Sequence, residues 1–253
     1  MGKLSGKHAV VTGGGSGVGA AIARKLVKAG ATVTISGRRR DALDDVAKSL
    51  EGITARTCDV TDPDSVASLF SSVSGEHGGV DIVVANAGVA EATPFSKLDL
   101  DSWRRTVDVN LIGVYLTIHA GVAAMENKDW GRIVTIASVA GLRGYPYVAH
   151  YCAAKHGTIG LTRSVAMELA TSGITVNAVC PGYTETPMLT RALDNVMNKT
   201  GMNQEDATKA LLRTNPMGRF IQPDEVAQTV LWLCGPNSGA ITGQAISVSG
   251  GEI

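Results

Sequence analysis

The chain has 253 residues, of which 44% are hydrophobic, and its 23 basic and 23 acidic side chains give a formal net charge of zero. This length can bury one large α/β core or two small ones. The charge balance provides no global attraction for nucleic acid, and the first residues contain too short an apolar run for a signal peptide or a membrane span. We therefore expect a cytoplasmic protein that binds neither nucleic acid nor membrane.

The four cysteines are widely spaced and contain no Cys-x-x-Cys pair. They lie at positions 58, 152, 180 and 234. Disulfide frameworks and metal centres need cysteines that are paired or clustered at particular spacings. This spacing therefore predicts reduced, mostly buried thiols and no metal site.

Short β-rich runs alternate with longer helical patterns along the whole chain. Most of the runs are continuously apolar, which is typical of strands in a parallel sheet covered by helices on both faces. The predicted strands are 8–12, 32–36, 53–58, 81–85, 132–138, 174–179 and 245–249. This alternation predicts right-handed βαβ units and a Rossmann-type, doubly wound α/β fold of about seven strands.

Several positions mark where helices begin and end. Apolar residues recur at three- to four-residue spacing after Val18, and Gly30 is expected to end this first helix. Another helix is expected to begin with Pro63 in its first turn, and a later one begins near Pro223. Residues 183–215 interrupt the alternation and are longer than an ordinary α/β connection. They predict a partly helical lid over the site.

A glycine-rich turn follows the first predicted strand, where residues 12–19 read Thr-Gly-Gly-Gly-Ser-Gly-Val-Gly. Glycine lets a backbone approach a pyrophosphate, and a helix N-terminus offers unpaired N–H groups and the positive end of its dipole. The G-x-x-x-G-x-G spacing alone is compatible with a structural turn. Its position between a strand and a helix predicts a dinucleotide site.

The end of the second predicted strand bears on the choice of dinucleotide. NAD sites commonly place an acidic residue here for the ribose 2′-hydroxyl. In this chain residues 36–40 read Ser-Gly-Arg-Arg-Arg, and the first carboxylate is Asp41. An arginine offers a forked, charge-assisted contact to a 2′-phosphate, which favours NADP(H), with Arg38 as the contact. NAD(H) stays possible, since the arginines could instead form a solvated helix start.

Tyr151 and Lys155 lie four residues apart in a helical pattern and so share one helix face. A free phenol has a pKa of about 10, which is too high for an efficient base near neutrality. An ammonium about 4 Å away contributes roughly 4 kcal/mol at an effective dielectric of about 20, or about three pKa units. The pair predicts a tyrosine acid/base whose pKa is lowered by the lysine, although such a pair also arises by chance in helices.

Together these motifs resemble the classical short-chain dehydrogenase/reductase family. They occur in the family's order over essentially the whole chain: residues 12–19, Asp59-Val60, Asn86-Ala87-Gly88, Asn110, Ser138, Tyr151-x-x-x-Lys155 and Pro181-Gly182. The resemblance implies one catalytic domain over residues 1–253 that transfers hydride between NADP(H) and a ketone or secondary alcohol. Residues 171–188 and 216–227 are similar to those of 3-oxoacyl-thioester and polyketide ketoreductases.

The resemblance implies four catalytic residues. Tyr151 would exchange a proton with the substrate oxygen, while Lys155 would lower its pKa and bind the nicotinamide ribose. Ser138 would orient the carbonyl, and the backbone of Asn110 would hold a water of a proton relay. Taken alone, Ser138 could cap a turn and Asn110 could bend its helix.

The resemblance also implies the cofactor contacts. Asp59 and Val60 would contact the adenine, Asn86 would line the pocket, and Thr184 and Thr186 would reach the nicotinamide carboxamide and the phosphates. The complete predicted set is Gly13, Ser16, Gly17, Val18, Gly19, Arg38, Asp59, Val60, Asn86, Gly88, Tyr151, Lys155, Pro181, Gly182, Thr184 and Thr186. Ala85 departs from the asparagine that family members often carry there, which puts one local hydrogen bond in doubt.

The predicted substrate is a β-ketoacyl thioester or a related hydrophobic ketone. Residues 139–150, Tyr183 and the lid are expected to enclose it, with His150 at the rim or in the packing. One alternative is an NAD-dependent secondary-alcohol or 3-hydroxyacyl dehydrogenase of the same family. A dinucleotide-sensing scaffold is disfavoured because both the tyrosine and the lysine are present. The resemblance further implies a homotetramer with helices around 101–125 and 151–170 at its interfaces.

Overall fold

A computed structural model describes residues 2–126 and 128–253. In this part of the chain seven parallel strands form one sheet in the order β3-β2-β1-β4-β5-β6-β7. The strands are β1 (His8–Thr12), β2 (Thr32–Gly37), β3 (Ile53–Thr57), β4 (Ile82–Ala85), β5 (Gly131–Ile136), β6 (Ile174–Pro181) and β7 (Ala245–Val248). The predicted Rossmann-type doubly wound fold is confirmed.

Helices cover both faces of the sheet. They are α1 (Gly17–Lys28), α2 (Arg40–Lys48), α3 (Pro63–His77), α4 (Leu100–Val107), α5 (Gly113–Ala124), α6 (Ala149–Glu168), α7 (Pro187–Thr200), α8 (Gln204–Leu212) and α9 (Pro223–Leu233). A π-helical turn, Asp108–Ile112, joins α4 to α5. A short 3-10 turn, Val139–Gly141, follows β5.

The continuous apolar runs are explained by two hydrophobic clusters, one on each face of the sheet. Helices α1, α2 and α9 pack on one face, and α3, α5 and α6 pack on the other. Because successive strand residues point to opposite faces, Val11 joins the first cluster and Val10 the second. Both faces of each central strand must therefore be apolar.

The predicted helix boundaries have local causes. The Asp62 side chain accepts the N–H of Asp64 at 3.0 Å, and Pro63 occupies the first position of α3. Gly30, after α1, has the positive φ of +102° that glycine adopts readily. Residues 183–215 contain α7 and α8, separated by a left-handed Gly201. The lid segment is thus partly helical, as predicted.

The carboxyl ends of the strands differ from the prediction by two residues at β5 and β6, and by one residue at β2, β3 and β7. Strand β5 ends at Ile136, because Ser138 already caps the 3-10 turn that follows. Strand β6 continues to Pro181, because its last residues pair with β7 up to Val248. These shifts leave the order and type of the elements unchanged.

Among the described residues, the run Leu100–Ala124 is long and apolar enough to cross a membrane by length and composition alone. The π-helical turn interrupts it, and Val114 and Ile118 of α5 are buried in the cluster shared with α3 and α6. Packing against the sheet accounts for those apolar residues.

Candidate active site

The site lies at the carboxyl edge of the sheet, where the strand order reverses between β1 and β4. Crevices at such switch points are where open α/β sheets bind ligands. Thr12, at the end of β1, accepts the N–H groups of Asn86 and Ala87 on its hydroxyl at 3.1 and 3.2 Å. The Asn86 amide donates to the carbonyls of Thr12 and Gly13 at 2.9 and 3.1 Å. Asn86 therefore fixes the glycine-rich turn to the end of β4 through the Thr12 hydroxyl and two backbone carbonyls.

The glycine-rich turn leaves its backbone open to a ligand. Gly13 and Gly17 have φ values of +67° and +52°, which residues with a Cβ rarely adopt. A Cβ at Gly19 would lie 2.3 Å from the Gly13 carbonyl oxygen. Ser16 caps α1 without a side-chain hydrogen bond, so its hydroxyl does not occupy the amides of the first turn. These residues fit the pyrophosphate of a dinucleotide.

The arginines after β2 differ in their partners. Arg40 is held by Asp44 one turn further along α2, at 2.9 Å. Arg38 is exposed, and within residues 2–126 and 128–253 no carboxylate lies at ion-pair distance from it. The field of Arg38 reaches Asp59, whose pKa is lowered first by the Thr61 N–H and also by this arginine. Arg38 is thus an available cation at the adenosine end of the crevice, beside Asp59.

Two of the predicted cofactor residues have side chains directed into the protein. Val60 is buried and packs against α5, since a Cβ at Gly113 would lie 2.8 Å from its Cγ2 atom. Val18 packs at the margin of the hydrophobic cluster under α1. Their side chains therefore pack within the fold.

The start of residues 183–215 lies against the glycine-rich turn. A Cβ at Gly17 would be 3.0 Å from the Cγ2 atom of Thr186, which caps the N-terminus of α7. The Thr186 hydroxyl donates to the Thr184 carbonyl at 3.1 Å, and the Thr184 hydroxyl donates to the Gly182 carbonyl at 2.9 Å. The segment that follows Pro181 therefore runs from the sheet edge to the glycine-rich turn.

The end of β5 and the start of α6 bring the predicted catalytic residues together. Ser138 accepts the N–H of Ala140 at 3.1 Å and lies near enough to the Tyr151 phenol to lower the pKa of that group. The Lys155 ammonium donates to the Ile136 carbonyl at 2.8 Å and lies 5.6 Å from the centre of the Tyr151 ring. Ser138 is thus both the cap of a turn and a neighbour of the tyrosine.

The π-helical turn places Asn110 close to Lys155. The amide of Asn110 donates to the carbonyls of Val89 and Thr106, each at 2.9 Å, and its oxygen accepts the Val89 N–H. Its backbone carbonyl accepts the hydroxyl of Thr158 at 2.9 Å. A Cβ at Gly88 would lie 2.9 Å from the Asn110 oxygen and 3.8 Å from Lys155 Nζ. Asn110 therefore both marks the bend in its helix and borders the lysine.

Sequence reasoning missed Thr158. It lies seven residues after Tyr151, so it is two turns along the same face of α6. Its hydroxyl also contacts the Ala154 carbonyl at 3.1 Å, within its own helix. The seven-residue spacing from Tyr151 could have indicated that Thr158 faces the site. Buried threonines are common on helix faces, so the spacing alone did not distinguish this one.

Burial determines the electrostatics of the tyrosine and the lysine. It raises the pKa of Tyr151 to about 12, and Ser138 acts in the opposite direction. It also lowers the pKa of Lys155 to about 8. The net direction at Tyr151 is opposite to the lowering expected from the sequence, because removal from water outweighs the effect of Ser138. The contribution of Lys155 to the pKa of Tyr151 stays a prediction.

The loop before α6, expected to line the substrate space, contains residues in very different environments. Tyr147 is 62% exposed, has a φ of +68°, and accepts the N–H of Thr93 on its carbonyl at 2.7 Å. His150 is only 1% exposed, and burial lowers its pKa. Tyr145 donates its hydroxyl to Glu252 at 2.6 Å. His150 thus belongs to the packing, one of the two positions predicted for it.

Sequence reasoning also missed Glu252. It lies one residue before the C-terminal Ile253, yet its side chain is only 1% exposed. Besides Tyr145, it contacts Arg143 and Thr214. A carboxylate in a terminal Gly-Gly-Glu-Ile sequence gives no pattern that distinguishes it from a solvated one. The four cysteines, in contrast, are buried and free, as predicted.

Comparisons with known proteins agree with this geometry. The family model described as Enoyl-(Acyl carrier protein) reductase matches residues 13–252. The chain belongs to the short-chain dehydrogenase/reductase family. It is 38% identical over 252 residues to a D-beta-hydroxybutyrate dehydrogenase from Rhizobium meliloti, covering 97% of this chain and 98% of the relative. It is 37% identical over 254 residues to a 3-oxoacyl-(acyl-carrier-protein) reductase from Aquifex aeolicus, covering 98% of each.

A solved structure is similar over the whole chain. A variant of actinorhodin polyketide ketoreductase, crystallised with NADPH, superposes with a TM-score of 0.94 at 38% identity. The superposition covers 99% of this chain and 98% of that one. The chain is an oxidoreductase that transfers hydride between a nicotinamide dinucleotide and a carbonyl or alcohol group.

The lowered pKa of Lys155 predicts a pH-dependent contribution to stability. Between about pH 8 and the ordinary lysine pKa of 10.5, the unfolded chain binds more protons at this position than the folded chain. The free energy of unfolding of the wild type should therefore rise relative to that of Lys155→Met between pH 7.5 and pH 9.5, as measured by urea unfolding. The exposed Lys48→Met is the control, and its difference from wild type should not change. An equal change in both variants would contradict the prediction.

Proposed function

We propose that the chain is an NADPH-dependent reductase of β-ketoacyl thioesters or closely related hydrophobic ketones. The observation that carries the proposal is the grouping of Ser138 and the half-buried Tyr151 around the buried Lys155, at the same edge of the sheet as the glycine-rich turn. The hydroxyls of Ser138 and Tyr151 can donate hydrogen bonds to a substrate carbonyl oxygen there, with the Lys155 ammonium beside them. Two of the similar proteins are named for reducing 3-oxoacyl or polyketide ketones, which supports this substrate class.

The proposed chemistry begins with the orientation of the carbonyl. Ser138 and Tyr151 donate hydrogen bonds to the carbonyl oxygen, which polarises it and fixes its position. Bound NADPH supplies the hydride. As the carbon accepts the hydride, the oxygen takes the phenol proton from Tyr151. The burial that raises the pKa of Tyr151 keeps this proton in place near neutral pH, which suits proton donation in the direction of reduction.

Lys155 then has two tasks in this proposal. Its ammonium stabilises the phenolate left on Tyr151 and can return a proton, because its pKa of about 8 allows exchange near neutrality. In this proposal the backbone carbonyl of Asn110, which accepts the Thr158 hydroxyl, also holds a water between Lys155 and solvent.

The proposed cofactor position follows from the same residues. Gly13, Ser16, Gly17 and Gly19 would hold the pyrophosphate, and Arg38 would hold the 2′-phosphate. Asp59 and Val60 would border the adenine, while Thr184 and Thr186 would face the nicotinamide end. The open turn and the exposed Arg38 beside Asp59 support this arrangement.

The substrate proposal is tested by following NADPH absorbance with acetoacetyl and longer 3-oxoacyl thioesters of N-acetylcysteamine, with crotonyl thioester as the control for reduction of a carbon–carbon double bond. We expect turnover of the ketones only. Tyr151→Phe should lower kcat by about 10²- to 10⁴-fold, the usual range for loss of an acid/base, while the Kd for NADPH changes little. The matched control is the exposed Tyr147→Phe, which should retain its kcat. A Tyr151→Phe enzyme with near-normal kcat would refute the assignment.

The role of Arg38 is tested with a neighbouring arginine as control. Arg38→Gln removes the proposed partner of the 2′-phosphate, and loss of a charge-assisted contact should raise the Kd for NADPH about tenfold or more. The Kd for NADH, which lacks this phosphate, should stay nearly unchanged. Arg40→Gln should alter neither Kd, because Arg40 is held by Asp44. Both Kd values can be titrated by nicotinamide fluorescence, and a wild type that prefers NADH would favour the NAD-dependent alternative.

We also propose that the protein is a cytoplasmic homotetramer. Large apolar side chains are exposed on the helices expected at the interfaces: Leu100, Ile112, Tyr115 and Met167. Exposed apolar groups on neighbouring helices favour association. Light scattering at micromolar concentration should give four times the chain mass, and Tyr115→Glu should lower it. The matched control is Met202→Glu, exposed between α7 and α8. A wild-type monomer would contradict the proposal.

A further inference from the structure

The buried carboxylate of Glu252 joins two walls of the proposed substrate space. Its Oε1 atom accepts the Tyr145 hydroxyl at 2.6 Å, the Arg143 guanidinium at 3.3 Å and the Thr214 hydroxyl. Arg143 and Tyr145 belong to the loop between the Ser138 turn and α6. Thr214 follows α8, at the end of the lid segment. One oxygen atom therefore connects the loop that carries the catalytic serine to the lid.

The chain places Glu252 here through a double-glycine turn. Gly250 and Gly251 have φ values of +67° and +87°, so the backbone reverses sharply after β7. A Cβ at Gly250 would lie 2.5 Å from the Asn215 oxygen, and the Gly250 carbonyl accepts the Met217 N–H at 3.3 Å. The turn thus packs against the end of the lid segment.

The other carboxylate oxygen faces the strand edge. A Cβ at Gly182 would lie 3.5 Å from Glu252 Oε2, so this side of the carboxylate contacts the start of the lid. The charge of Glu252 also contributes to raising the pKa of Tyr183, after the larger effect of burial. Glu252 consequently borders both ends of residues 183–215.

Stability alone is a weak explanation for this cluster. Removing a carboxylate from water costs several kcal/mol, and a single ion pair often does no more than offset that cost. Here the only ion-pair partner within the described chain is Arg143, which is itself 40% exposed. The geometry suits a positioning role, since three donors from two segments converge on one atom.

We propose that Glu252 is a positioning residue that determines substrate specificity, by holding the loop 142–148 and the end of the lid at a fixed separation. The proposal rests on the function proposed above, because it concerns the width of the same substrate space. Glu252 acts through Arg143, Tyr145 and Thr214, and it takes no part in proton or hydride transfer.

The kinetic test compares Glu252→Gln and Glu252→Leu with wild type on acetoacetyl and 3-oxooctanoyl thioesters of N-acetylcysteamine. The glutamine can still accept from Tyr145 and Thr214 but loses the charge that holds Arg143, whereas leucine removes every bond. We expect KM for the shorter thioester to rise about threefold in Glu252→Gln and about tenfold in Glu252→Leu, with kcat within about twofold. The ratio of kcat/KM for the shorter thioester to kcat/KM for the longer one should therefore fall. The Kd for NADPH should stay unchanged. The exposed Glu51→Gln is the matched control.

A second measurement does not depend on turnover. Amide hydrogen exchange should become faster in residues 142–148 and 204–215 of both Glu252 variants, while residues 8–28 exchange as in wild type. Tyr145→Phe should reproduce part of this change, and its effect should not add to that of Glu252→Leu, because both remove the bond between Tyr145 and residue 252.

The outcomes separate the two proposals. If the wild type reduces neither thioester, the proposed function fails, and faster exchange in the two segments would still support the link made by Glu252. Exchange like that of wild type would overturn the proposal. So would faster exchange with an unchanged preference between chain lengths, because the contacts would then not set specificity. If Glu252→Leu does not fold, Glu252→Gln and Tyr145→Phe decide the result.

Discussion

The contact between the Lys155 ammonium and the Ile136 carbonyl constrains the rest of the site. Lys155 is only 3% exposed, and a buried ammonium without a partner would cost several kcal/mol. Helix α6 must therefore lie where that carbonyl is within reach, and Gly141 permits this approach, since a Cβ there would be 2.7 Å from the Lys155 carbonyl oxygen. Tyr151 and Thr158 take their positions from the helix fixed in this way.

The same burial explains why the two titrating groups behave differently from free side chains. Exclusion of water raises the pKa of Tyr151 and lowers that of Lys155, so both neutral forms become more accessible. A proton can then be held on the phenol and exchanged by the amine at similar pH. A fully solvated pair would keep its pKa values near 10 and hold the lysine proton more firmly.

The fold and the proximity of Tyr151 to Lys155 were predictable because their causes are local. Apolar runs between helical patterns indicated the parallel sheet, and an i, i+4 spacing placed Tyr151 and Lys155 on one helix face. The pKa of Tyr151 was not predictable, because desolvation depends on everything packed around the phenol. Glu252 was missed for a similar reason: its partners lie 38 to 109 residues away in sequence, and only the folded chain brings them together.

The π-helical turn at Asp108–Ile112 places a limit on the length of the helix that contains it. Such a turn accommodates one residue more than an α-helical turn. Deleting a residue within the turn would restore a regular helix and remove the bulge that holds Asn110 against Val89 and Thr158. Deleting a residue from the α-helical part before Val114 would rotate the residues after it by about 100° and turn Val114 away from the sheet. Length variants between Leu100 and Ala124 should therefore be rare among functional homologues, even where individual side chains vary freely.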